Sequence, residues 1–200
     1  MVIKSKFALH FILPAIIVLF SCWPVRAGEP TEAIRGAINQ GIEIVKDTEL
    51  KNKKQRDEVI NRLRAIVYPL FDFNEMGMRS LGPHWRRLTP KQQKEFVTVF
   101  TELLEKTYAD SIDLYEGQKV VYINETLDKD YAQVDTRVIG KNNESFSMVY
   151  KLHRVSGKWT IYDVVAENIS LVNNYRSQFN RVIARSSFEE LIKTMKDKAS

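Results

Sequence analysis

The sequence predicts an α+β domain: a four-stranded antiparallel meander wrapped by helices in a cone-like arrangement that can leave an apolar cavity. Three observations predict it. Residues 30–116 carry apolar positions at helical spacing, residues 118–166 switch to alternation with a period of two, and residues 171–195 return to helical spacing. No internal repeat is present, and no linker is long enough to separate domains, so residues 28–200 read as one domain.

The first 27 residues read as a targeting segment. Lys4 and Lys6 precede an apolar run from Phe7 to Phe20, and Val25-Arg26-Ala27 places small residues around a cut after Ala27. This is the layout of a cleavable secretory signal peptide. An uncleaved membrane anchor is the competing reading, and His10, Pro14 and Pro24 argue against a stable spanning helix. A lipoprotein is a third reading, since Leu19-Phe20-Ser21-Cys22 loosely resembles a lipidation box in which Phe20 is too large.

Cleavage changes the electrostatics. The full chain has 30 Lys+Arg, 25 Asp+Glu and a net charge of +5. Loss of Lys4, Lys6 and Arg26 leaves 27 basic residues against 25 acidic ones, a net of +2. The basic face that a phosphate backbone requires is therefore not supported, and no nucleic-acid partner is expected. The single cysteine, Cys22, leaves with the signal, so burial alone must hold the remaining 173 residues together.

The first helix is expected over Thr31 to Lys46, with Ile34, Ile38, Ile42 and Val45 on one face. The second is expected over Gln55 to Leu70, with Val59, Leu63, Ile66, Val67 and Leu70. Phe71 to Leu88 reads as a loop or short helix, because Gly77, Gly82 and Pro83 interrupt it. Thr89-Pro90-Lys91-Gln92 is a helix start: an N-cap threonine, proline at the first position and glutamine three residues after the cap. The helix behind it is expected to run to Tyr115, presenting Phe96, Phe100, Leu103, Leu104, Tyr108, Ile112 and Tyr115.

Strands are expected at Lys119–Asn124, Ala132–Val138, Phe146–His153 and Trp159–Val165, with Ser156-Gly157 as a hairpin turn. One apolar sheet face needs a cover, and the long helix 89–115 and the tail helices are the expected covers. The tail presents Leu171, Val172, Tyr175, Phe179, Val182 and Ile183, then Phe188, Leu191, Ile192 and Met195.

Catalytic signatures are scarce. The chain has no HExxH, no GxSxG and no phosphate-cradling glycine loop. His84 and His153 lie far apart; His84 belongs with a turn and His153 reads as a packing or surface residue. No catalytic residue, metal or cofactor is assigned. Tyr150 and Asp163 are expected to face each other across the hairpin as a buried hydrogen-bonded pair. The apolar and aromatic density around 71–108, from Phe71, Phe73 and Met76 to Trp85, Phe96, Phe100 and Tyr108, is read first as core. The second reading is that sheet and helices enclose more apolar surface than they can fill.

Specific segments then carry a resemblance. Phe71-Asp72-Phe73-Asn74-Glu75-Met76, Leu81-Gly82-Pro83-His84-Trp85-Arg86, Thr89-Pro90-Lys91-Gln92-Gln93 and Glu95-Phe96 resemble the MlaC family of periplasmic phospholipid-binding proteins. That family is also known as toluene-tolerance or ABC-transporter auxiliary proteins. The resemblance continues through Leu103 to Tyr108, Tyr115-Glu116-Gly117-Gln118, Gly157-Lys158-Trp159, Tyr162-Asp163-Val164 and Ile169-Ser170-Leu171-Val172 to Asn174-Tyr175-Arg176-Ser177-Gln178-Phe179. One departure is Asn168, where the pattern has glycine; asparagine tolerates a left-handed backbone.

The resemblance implies a cone-like, NTF2-like fold and a periplasmic carrier. Its cargo would be a phospholipid, with no other cofactor. Its partners would be an inner-membrane ABC transporter complex with an MCE-domain protein and an outer-membrane lipoprotein complex, in a system that maintains outer-membrane lipid asymmetry. The physics agrees: two acyl chains hold about 30 methylenes at ~0.8 kcal/mol each, so exposing them to water costs on the order of 25 kcal/mol. The expected lipid-lining residues are Phe73, Trp85, Phe100, Leu104, Tyr108, Val134, Val138, Met148, Tyr150, Ile169 and Val172. Arg86 and Arg176 fit either a headgroup or partner contact or a structural salt bridge. Exposed charge such as Lys91, Lys94 and the Lys-rich tail would serve partner binding, with no basis for choosing among them.

The sequence also fits two rival functions. An enzyme on the same cone would use Tyr150, Asp163 and Tyr108 for proton transfer in an apolar pocket. A lipid-free periplasmic adaptor would have a filled interior.

Overall fold

A computed structural model describes residues 28–47, 53–109 and 115–200. The expected signal segment and cleavage site lie outside the described residues, as does Ile112. Among the described residues no helix is long and apolar enough to cross a membrane.

Among the described residues, six α-helices and five strands follow the expected order of helices, then sheet, then closing helices. Helix α1 spans Glu29–Asp47 and α2 spans Lys53–Val67. The second helix stops short of Leu70: Pro69 lies within a 3-10 turn over Tyr68–Leu70, where its missing N–H is tolerated. Of the two readings for Phe71 to Leu88, the short helix holds: α3 spans Phe73–Leu81. Asp72 caps it by accepting the Glu75 N–H at 2.9 Å, and Gly82 closes it at φ 55°. Gly77 looked like a helix breaker but serves close packing: a Cβ there would sit 3.3 Å from Phe96 and from Val97 of the next helix. A 3-10 turn over Gly82–Arg87 follows.

Helix α4 spans Pro90–Ala109. Its start matches the expected capping box, with the Thr89 N–H donating to Gln92 Oε1 at 3.0 Å and the Gln92 N–H to Thr89 Oγ1 at 3.3 Å. It does not reach Tyr115, which lies outside helix.

Strands β1 (Lys119–Asp128), β2 (Tyr131–Ile139), β3 (Ser145–Val155) and β4 (Lys158–Ala166) form the expected meander. A fifth, two-residue strand, β5 (Ile169–Ser170), pairs with β4, so the count of four was one short. The β4–β5 turn uses Glu167 at φ 46° and Asn168 at φ 66°, consecutive left-handed residues as in a type I′ turn. Glycine carries no Cβ penalty in that geometry. Asn168→Gly is therefore expected to raise stability by up to about 1 kcal/mol in urea unfolding.

Helices α5 (Leu171–Arg185) and α6 (Phe188–Ala199) close the chain. Ser170 caps α5 through the Asn173 N–H at 3.1 Å, and Ser187 caps α6 through the Glu190 N–H at 3.2 Å.

The apolar residues divide into two cores. The helical core gathers Met76, Leu81, Phe96, Phe100, Phe179, Leu191 and Met195 from α3, α4, α5 and α6. Phe96 and Phe100 are fully buried and meet Phe179 edge-on with centroids 5.6 Å apart. Each such ring contributes roughly 1.5–3 kcal/mol of burial free energy. The sheet core gathers Ala132, Val134, Leu152, Trp159 and Ile161 with Ile34 of α1. The expected covers were the long helix and the tail. The tail helix α5 does contact β4, but α1 also lies on the sheet, and α4 packs mainly on α6 and α3. Helix α1 is anchored there by Glu125 of β1, whose carboxylate accepts the Thr31 N–H at 2.9 Å. Because the long helix belongs to the helical core, the sheet and that core do not close completely on each other.

Candidate functional site

Between the two cores lies a cavity of about 600 Å³, within the size range of ligand-holding pockets. Four surfaces build it. Helix α2 supplies Ile60, Leu63, Arg64 and Val67, and α4 supplies Thr101, Leu104, Glu105 and Tyr108. Each set falls at i, i+3, i+4 and i+7, one stripe of a helix. The sheet supplies Met148, Val164 and Ala166, where Met148 of β3 pairs with Ala166 of β4. Phe71, Phe73 and Met76 form one end, and Ile169, Leu171 and Asn174 the other.

The aromatic end is ordered by ring contacts. Phe73 stacks on Phe71 with centroids 5.9 Å apart and meets Tyr68 edge-on at 5.2 Å. The chain there is tied to the sheet edge, since Phe71 bridges Ile161 and the Asp72 N–H donates to the Ile161 carbonyl at 2.9 Å. His153 Nε2 lies 3.1 Å from Asp72 Oδ2. That contact agrees with a packing role for His153. His84 lies in the 3-10 turn after α3.

The wall is mostly apolar, and its charge is confined to one pair. Arg64 and Glu105 are the charged residues among those lining the cavity, and they pair with each other across it. The Tyr68 hydroxyl donates to the second oxygen of Glu105 at 2.7 Å. Burial pushes the Glu105 carboxyl up, but the bonds from Arg64 and Tyr68 together outweigh it and hold the group below its ordinary value. Burial, then the bond to Glu105, pushes the Tyr68 hydroxyl up.

The sequence-expected residues separate by position. Phe73, Leu104, Tyr108, Met148 and Ile169 line the cavity. Ile169, 64% exposed, and Tyr108, 49% exposed, lie at its rim. Phe100 and Val172 are buried in the helical core, and Trp85 packs against it. Val134 lies in the sheet core with Tyr150 packed against it, and Val138 is buried on β2. These six sit behind the wall or away from it. Arg86 is exposed. Arg176 Nε donates to the Arg79 carbonyl at 2.7 Å, tying α5 to α3.

The expected Tyr150–Asp163 pair does not form. Asp163 stands opposite Lys151, so it lies on the other face of the sheet from Tyr150, whose cross-strand neighbour is Val164. A bulge makes the difference, with Lys151 facing Asp163, Leu152 facing Ile161, and Tyr162 left as the extra residue. Asp163 is buried and serves helix α5, accepting the Ser170 hydroxyl at 2.7 Å and the Val172 N–H at 3.1 Å. Burial pushes the Tyr150 hydroxyl up to about 12, and it contacts the Met148 sulfur at 3.1 Å. The set proposed for proton transfer is therefore divided among a helix cap, a packed tyrosine and an exposed rim. Among the described residues no group of three or more His, Cys, Asp or Glu is placed to hold a metal.

The lining of α2, together with Val164 and Ala166, was missed from the sequence. The available signal was a single charged residue within each apolar stripe, Arg64 in one and Glu105 in the other.

Fold and cavity together define a small α+β protein built around an apolar chamber between a five-stranded antiparallel sheet and a helical body. The chain belongs to the MlaC protein family, whose pattern matches residues 35–197. Among its relatives, the intermembrane phospholipid transport system binding protein MlaC of Haemophilus influenzae is 22% identical over 197 residues, covering 96% of this chain and 91% of that protein. The toluene tolerance protein ttg2D of Pseudomonas putida is 23% identical over 185 residues, covering 90% and 86% respectively. A solved structure of a phospholipid-binding protein from Ralstonia solanacearum, in complex with a phospholipid, has the same fold. Its TM-score is 0.75 at 22% identity, covering 86% of this chain and 97% of that one.

Proposed function

We propose that this protein is a periplasmic phospholipid carrier. It holds the acyl chains of a lipid in the cavity and shuttles it between an outer-membrane complex and an inner-membrane ABC transporter complex, maintaining outer-membrane lipid asymmetry. The observation that carries the reading is the cavity, about 600 Å³ and lined by apolar side chains from α2, α4, the sheet and the start of α5. Acyl chains there avoid the exposure cost that blocks free passage through water. Membership of the MlaC family and the names of the relatives support the same reading. The protein acts by binding and release, without chemistry on its cargo.

Two measurements test it. Mass spectrometry of an organic extract of the purified protein is expected to find phospholipid at near one molecule per chain. Transfer of labelled lipid between tagged donor and acceptor complexes is expected to require the protein. An extract without phospholipid would overturn the carrier reading.

A further inference from the structure

The cavity wall places one cation and one anion together at a largely apolar surface. Arg64 sits within the α2 stripe and Glu105 within the α4 stripe, 41 residues apart in sequence, and the two side chains meet. Both are partly exposed, Arg64 at 41% and Glu105 at 29%, so each has one side toward water and one toward the chamber. Arg64 also donates to Asn61 at 2.7 Å, and Tyr68 supplies a hydroxyl between the helices. A partly exposed pair of this kind is a weak link between two helices, because solvent screens it. Its chemistry matches the one polar part of a lipid that must rest beside its tails.

Building on the carrier reading, we propose that Arg64 and Glu105 read the headgroup, favouring a zwitterionic phospholipid with a primary ammonium. The Arg64 fork takes the phosphodiester. Glu105, released from Arg64, takes the ammonium, and Tyr68 donates to whichever anion is nearer. Two internal contacts are exchanged for two contacts of the same sign pattern, so no charge is left unpaired at the rim. An anionic glycerol headgroup also pairs with Arg64, but it strands Glu105 beside a phosphate, and like charges held together discriminate strongly. A quaternary ammonium provides charge without N–H donors and ranks between the two.

The test uses the delipidated full chain, equilibrated with vesicles of equal parts phosphatidylethanolamine and phosphatidylglycerol with identical acyl chains. The protein is re-isolated and its lipid quantified by mass spectrometry. The wild type is expected to favour the ethanolamine lipid by at least about threefold. Glu105→Gln removes the repelling anion and is expected to lower that ratio to one or below. Arg64→Gln leaves the anion alone and is expected to raise it. Opposite shifts in two variants cannot come from a general loss of structure, and either variant alone suffices if the other fails to fold. An unchanged ratio in both folded variants, with lipid still bound, overturns headgroup reading and leaves the carrier intact. A parallel fall in total lipid at constant ratio makes the pair a latch between α2 and α4 and also overturns it. A wild type that takes up no lipid overturns the carrier reading as well.

Discussion

Ala166→Trp is expected to empty the cavity of lipid while leaving the protein folded. Ala166 is the last residue of β4, faces the chamber and pairs with Met148 across the strands. Side chains on a strand stand roughly perpendicular to the sheet, so an indole there projects into the cavity. The ring meets apolar walls and gains burial in place of the acyl chains, so stability should be unchanged or slightly raised. Lipid recovered per chain should fall by about tenfold or more, equivalent to ~1.4 kcal/mol of lost affinity. Gln133→Trp, on the opposite, exposed face of β2, is the matched control and should retain full occupancy. Full occupancy in Ala166→Trp would place the lipid elsewhere.

Asp163→Ala is expected to be the most destabilising single change outside the apolar cores. The carboxylate is 5% exposed and accepts the Ser170 hydroxyl and the Val172 N–H. Val172 is the second residue of α5, so Asp163 satisfies one of the donors a helix start leaves open while Ser170 satisfies the next. Hydrogen bonds to a charged group are worth roughly 1.5–3 kcal/mol each, and alanine leaves a buried N–H unpaired. The Lys151 ammonium, 3.9 Å away and 36% exposed, adds little. A loss of about 3 kcal/mol is expected in urea unfolding, with a fall of roughly 6–12 °C in thermal midpoint. Asp163→Asn keeps an acceptor and should lose less. Since Ile169, Leu171 and Asn174 line the chamber beside this cap, a loosened α5 start should also weaken lipid retention. A loss below about 0.5 kcal/mol for Asp163→Ala would mean that the cap is satisfied by other groups.

Near neighbours in the chain decided much of this molecule. The stripe spacing placed α1, α4 and the tail, the Thr89–Gln92 box set the start of α4, and alternation with the Ser156-Gly157 turn produced the meander. Phe71 to Leu88 could be read only as a loop or short helix, because Gly77 looks like a breaker when only its propensity is considered. Only its contact with Phe96 explains it. The cavity residues divide in the same way. Periodicity identified which residues share a face, so Leu104, Tyr108 and Met148 could be named, while Phe73 came from its aromatic segment and Ile169 from its place between the last strand and the tail helix. It could not say what each face meets. The covering of the sheet by α1, the meeting of Arg64 with Glu105, and the turning of Asp163 away from Tyr150 by a single bulged residue were decided only by the tertiary structure. The physical reason is range: backbone hydrogen bonding and side-chain period act over a few residues. Contacts between helices and a sheet depend on how whole elements pack, and one extra residue in a strand reverses which side of the sheet a side chain occupies.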